Sequence, residues 1–101
     1  MEINAKHFED RSIITIDKNK FIGLEGETFQ NLVNNSIDRG SKNISIDLSK
    51  VNYISSSGVE LLMHAYTACS RKNVRFDIEG ANKLVKDVLS NLKLSKIFNI
   101  S

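Results

Sequence analysis

The sequence predicts a single α/β domain built on a mixed β-sheet with crossover α-helices, in the order β-β-α-β-α-β-α. Three observations lead there. The hydrophobic period switches repeatedly between two residues and three to four along the chain. Strand-like and helix-like stretches alternate after an opening pair of strands, the pattern of a sheet covered by helices. A length of 101 residues, 41% hydrophobic and 26% charged, suits one core, so residues 1–101 are read as one domain.

Taken in order, residues 2–8 alternate through Ile3, Ala5 and, less clearly, His7, and predict an edge strand. Residues 12–17 predict a stronger strand with Ile14 and Ile16 on one face, and Asp10 and Arg11 place a tight hairpin turn between the two. Phe21 and Ile22 begin a short extended piece before Gly23. From Glu25 the period is helical: Phe29, Leu32, Val33, Ser36 and Ile37 share one face, and Gly40 is a C-terminal stop. Ile44, Ile46 and Leu48 then alternate with Ser45, Asp47 and Ser49, giving a strand with one face inward. Val59, Leu62, Met63, Tyr66 and Cys69 recur at helical steps, so a helix runs to about Arg71 with Asn73 as its stop. Val74, Phe76 and Ile78 alternate with Arg75 and Asp77 as another half-buried strand. After the loop Glu79, Gly80, Ala81 and Asn82, a last helix capped by Asn82 carries Leu84, Val85, Val88, Leu89 and Leu92. Leu94, Ile97, Phe98 and Ile100 remain to be buried, in a short terminal strand or a hooked tail.

Composition narrows the function. A net charge of +2 is too small for a nucleic-acid footprint. Arg71, Lys72, Lys93 and Lys96 sit near helix ends, where cations offset the helix dipole. The apolar runs are too short to span a membrane and the polar start MEINAKHFED does not read as a secretory signal, so no membrane insertion and a cytoplasmic location are expected. Cys69 lies on an apolar helix stripe and reads as a small buried hydrophobe. His7 and His64 are not in metal spacing, no Gly-x-Ser-x-Gly elbow surrounds the serines, and Gly23, Gly26 and Gly40 do not form a phosphate loop. Asp47 and Glu60 fall on different elements and do not form a paired acid and base. No catalytic residue, metal or cofactor is expected.

The stretch that stands out is Ser55, Ser56, Ser57 and Gly58, between the central strand and the following helix. Short hydroxyl side chains favour caps and turns there, and glycine relaxes the backbone restriction. The first N–H groups of the helix lack intrahelical partners and carry partial positive charge, so one serine caps them while another faces solvent. An anion there is stabilised, including a covalently attached phosphate.

The element order, the length and the string DLSKVNYISSSGVELL resemble the STAS domain, the family of bacterial anti-sigma factor antagonists and related regulatory modules. Asp47, Leu48 and Ser49 match the family's strand end, Val51, Tyr53 and Ile54 its spaced apolar residues, and Ser56, Ser57 and Gly58 the end of its Asp-Ser-Ser/Thr-Gly motif. The motif Asp is Ser55 here. In an earlier loop, KNKFIGLEGETF, Ile22 stands where antagonists often carry another Asp. The resemblance implies a STAS-like fold and a protein-interaction module that binds an anti-sigma factor, itself a serine kinase, in a partner-switching pathway. By alignment on Gly58 the phosphoacceptor is Ser56, and the implied partner surface is Ser55, Ser56, Ser57, Gly58 and Glu60. Two other uses within the family stay open: an accessory subunit of an ABC-type lipid transporter, and a scaffold subunit of a signalling assembly.

Overall fold

Isoleucines at alternate positions lay down the sheet. The computed structural model describes residues 2–100, so Met1 and Ser101 of the expected domain lie outside the described residues. Strands β1 (Ile3–His7) and β2 (Arg11–Ile16) form the expected hairpin, followed by β3 (Lys20–Phe21) and helix α1 (Gly26–Asp38). Then come β4 (Asn43–Asp47), β5 (Tyr53–Ile54), α2 (Ser56–Arg71), β6 (Arg75–Glu79) and α3 (Lys83–Asn91). The four longer strands form one mixed sheet in the order β1-β2-β4-β6. β1 is antiparallel to β2, whereas β2, β4 and β6 run parallel. β3 and β5, two residues each, pair in parallel as a separate ribbon. The predicted element order is therefore present with two short strands added.

Register assigns the two faces of the sheet. Ile3, Ala5, Ile14, Ile16, Ile44, Ile46, Phe76 and Ile78 share the inward face, and all but Ala5 are buried. Phe29 and Val33 of α1 and Leu62, Ala65 and Cys69 of α2 close the core over them. The opposite face carries Lys6, Arg11, Thr15, Asn43, Asp47, Asp77 and Glu79, and stays partly open to solvent, as one face of a sheet with an antiparallel edge can. Ser45, expected to be open on that face, is fully buried, because Arg11 lies across it. The guanidinium donates to the Ser45 hydroxyl (2.9 Å) and to Glu79 (2.9 Å).

Two apolar expectations shift. α3 is capped by Asn82 as read, its side-chain oxygen accepting from the Val85 N–H at 3.0 Å, but it buries only Val85 and Leu89. Leu84 and Leu92 are 66% and 54% exposed, on a second line, four residues apart, with Val88, which is half-buried against the edge of the core. Met63 of α2 is likewise at the edge of its stripe and exposed. The chain after α3 is a hooked tail. The Phe98 N–H bonds Leu94 and the Ile100 N–H bonds Ser95, while Ile100 makes a single parallel bridge to Ile78 at the sheet edge. Leu94 and Phe98 are buried, Phe98 stacking edgewise on Phe76 with centroids 5.6 Å apart, and Ile97 stays exposed.

One core position is mismatched. The Ser36 hydroxyl on α1 is buried without a hydrogen-bond partner among the described residues, a loss of roughly 1–3 kcal/mol for such a group. Ser36→Ala is expected to raise the unfolding free energy by about 1 kcal/mol, read as a higher urea midpoint at unchanged slope.

Candidate functional site

Topology puts the beginnings of all three helices at one end of the molecule. The parallel strands β2, β4 and β6 each lead, directly or through β3 or β5, into α1, α2 or α3. Loops at the carboxyl ends of parallel strands are where such folds carry ligands and partners. The serine turn lies here, between β5 and α2.

Within the turn the three serines have separate environments. Ser55 is the N-cap of α2, in extended conformation, and its hydroxyl accepts from the Gly58 N–H at 3.2 Å. Its backbone N–H bonds the Phe21 carbonyl at 3.1 Å, tying the turn to β3. Ser57 is exposed, yet a Cβ on Gly23 would lie 2.8 Å from its own Cβ, so the β3–α1 loop runs tightly alongside it. Gly23, at φ +88°, makes that approach in a conformation other residues resist. Gly58 is buried, and a Cβ there would stand 2.3 Å from the Phe21 carbonyl oxygen. Its part is to let the loop and the helix touch. Ser56, the first residue of α2, is exposed, and its hydroxyl has no intramolecular hydrogen bond among the described residues. Glu60, one turn on, is exposed on the same side of the helix, with Met63 next along it. Of the five residues expected to form the partner surface, Ser56, Ser57 and Glu60 are thus exposed, while Ser55 and Gly58 shape the turn.

Electrostatics at the turn are simple. α2 has no acidic residue in its first turn, so the partial positive charge of its N-terminus is unneutralised by side chains. Ser55 supplies a neutral cap where an Asp would have supplied a charged one. Of the nearby acids, Glu27 in the first turn of α1 is exposed, while Glu25 is engaged by Lys18, which also reaches Glu2 at 3.4 Å. That pairing, chiefly the hydrogen bond to Glu25, raises the Lys18 pKa.

Groups with nucleophilic or ligating chemistry lie elsewhere. Cys69 is fully buried and its thiol is pushed up to about 12 by desolvation, which leaves no thiolate at neutral pH. His7 Nδ1 is 2.8 Å from the Ser12 hydroxyl, which also meets Ser41 at 2.6 Å, but Ser12 is completely buried where no substrate reaches it. Burial and then the charge of Arg39 lower the His7 pKa. Among the described residues no cluster of three His, Cys, Asp or Glu is arranged to hold a metal ion, and no helix is long and apolar enough to cross a membrane.

The sequence reading missed one feature at this end. Tyr53 is 54% exposed, and with Leu84 it walls an apolar crevice floored by Ile54, Val85 and Val88. The signal was the regular spacing of Leu84, Val88 and Leu92, wider than the face α3 needs for its core contacts.

The chain matches the family model of the STAS domain over residues 2–101, and it belongs to that family. Its fold is similar to a putative anti-sigma factor antagonist from Thermotoga maritima, at 23% identity over 97% of this chain and 84% of that one, with a TM-score of 0.79. It is also similar to the cell fate determinant SpoIIAA from Bacillus in its phosphorylated form, at 13% identity over 98% and 90% of the two chains, TM-score 0.75. A sulfate transporter family protein from Wolinella succinogenes gives a TM-score of 0.77 at 13% identity, covering 88% of this chain and 71% of that one. At such identities the likeness is one of fold. No curated protein matches the sequence.

The turn makes a stability prediction. Ser55→Ala should cost about 1 kcal/mol through loss of the cap, and Ser55→Asp should not, since Asp caps equally well. Gly58→Ala should cost more, roughly 1–3 kcal/mol or above, because its neighbour is backbone that cannot rotate away. Urea denaturation of the three variants checks the ranking.

Proposed function

We propose that the chain is an anti-sigma factor antagonist-like protein-interaction module in a partner-switching pathway, with Ser56 as the residue switched by phosphorylation. Its partner is then an anti-sigma factor that is also a serine kinase. The observation that carries this reading is the isolation of one hydroxyl. Ser55 is spent as a cap, and Ser57, though exposed, has the β3–α1 loop running close beside its Cβ at Gly23, whereas Ser56 is exposed at the N-terminus of a 16-residue helix with no acidic side chain in its first turn. Family membership and the fold shared with antagonists, one of them solved in a phosphorylated form, support it.

The mechanism is electrostatic and steric. Unmodified, Ser56, Ser57 and Glu60 offer a small polar surface to the partner. A phosphate on Ser56 adds close to two negative charges that the helix N-terminus stabilises within the domain. The same charges must be desolvated or opposed at a docked interface, so the complex weakens, and a phosphatase restores it. A docking subunit that is never phosphorylated, on a transporter or a scaffold, is the second reading, favoured by the neutral Ser55 in place of the motif carboxylate.

Intact-mass and fragment spectra of the protein from its native cells should show one phosphate on Ser56, absent in Ser56→Ala. No phosphate during growth or stress would leave the docking-subunit reading. In vitro, Ser56→Glu should stabilise the fold by about 0.3–1 kcal/mol through the helix dipole, an increment that added salt reduces.

A further inference from the structure

The crevice beside the turn has the make-up of a receptor for a partner's side chain. Its volume is about 180 Å³, and it lies between β5 and α3, lined by Asn52, Tyr53, Ile54, Leu84, Val85 and Val88. Tyr53 and Leu84, the two walls, are large apolar side chains left 54% and 66% exposed. Apart from the Tyr53 hydroxyl, the polar side chain of the lining is Asn52, and it is already engaged by Asn19 and by Asn82, the latter at 3.1 Å. What the crevice offers a ligand is therefore apolar surface.

The charge around it selects the ligand further. Both helices that begin at its rim, α2 and α3, lack acidic residues in their first turns, so both N-termini remain partially positive. Lys20 is the strand partner of Tyr53 and stands on the same side of the ribbon. Lys83 precedes Leu84, and Asp87, the one acid of α3, is held by Lys83 at 3.1 Å. Lys83 and Asp87 thus offset each other, and among the described residues of β3, β5 and α3 the charged side chains without an ion pair are Lys20 and Lys86, both positive.

We infer that this crevice seats a bulky apolar side chain from an acidic segment of a protein partner, with carboxylates flanking the anchor. An anchor that fills an apolar pocket supplies affinity, and the complementary charge sets orientation and excludes basic sequences. The inference deepens the reading of the serine turn and rests on it for the identity of the partner. Ser56 follows the crevice residue Ile54 by two positions, so a phosphate there would repel the segment that the crevice attracts.

The test uses random dodecapeptides displayed on phage and selected on the full chain. Enriched peptides should combine a large aliphatic or aromatic residue with adjacent Asp or Glu. A synthetic copy of the leading peptide should bind Leu84→Glu at least about tenfold more weakly than wild type, the scale on which a buried anchor is lost. It should also shift the amide NMR signals of Tyr53, Leu84 and Val88. Leu84 is exposed, so the variant should fold, which circular dichroism checks; Leu84→Ser provides a neutral second variant. No enrichment, enrichment of basic peptides, or binding that survives both Leu84 substitutions would overturn the inference. So would self-association that both substitutions abolish, because a second copy of the chain would then be the occupant. Binding lost in Leu84→Glu but kept in Ser56→Glu would support the crevice while counting against the switch, so the two readings fail separately.

Discussion

The constraint on which the rest depends is the crossing of the Phe21 backbone over the start of α2. The Phe21 carbonyl accepts from the Ser55 N–H and passes so close to Gly58 that no side chain fits between them. Phe21 itself is fully buried, its ring edge-on to Phe29 of α1 at 5.5 Å. One short ribbon thereby joins both helices that cover the sheet and fixes where α2 begins. The orientation of each serine follows from that starting point, because a helix shifted by one residue turns every side chain by about 100°.

The two faces of the molecule divide labour through their polar groups. On the open side of the sheet, polar side chains largely satisfy one another: Arg11 bridges Ser45 and Glu79, and Asn43 donates to Asp77 at 3.1 Å. At the end where the helices begin the balance differs, since the Ser56 hydroxyl is free, two helix N-termini are without acids, and apolar wall residues stand exposed. An interaction module needs such a residue of unmet bonding and uncovered apolar area, held on a rigid frame.

Much of this was legible in the sequence, for reasons that particular residues show. The hairpin, the parallel strands and all three helices follow from runs whose period burial on one face enforces, as with Ile14 and Ile16 or Val85 and Leu89. Asn82 and the serine cluster announced helix starts because caps depend on local chemistry. β3 and β5 were not legible as a pair, since two residues carry no period and their partnership spans 33 positions, as Lys20 to Tyr53. Nor could periodicity tell that Leu84, Met63 and Leu92 lie outside the core, because an apolar stripe broader than the buried one reads the same in one dimension. The separation of roles among Ser55, Ser56 and Ser57 was equally hidden, for it depends on where Gly23 and Phe21 pass.

The most direct measurement is a comparison of photocrosslinking in native cells, with benzoylphenylalanine placed in turn at Tyr53 and Glu60 beside the serine turn and at Lys6 and Thr15 on the open sheet face. Discrete adducts from the first two positions and none from the second two are expected of a surface organised around Ser56. Adducts confined to Lys6 and Thr15 would contradict it and move the working face of the domain to the sheet.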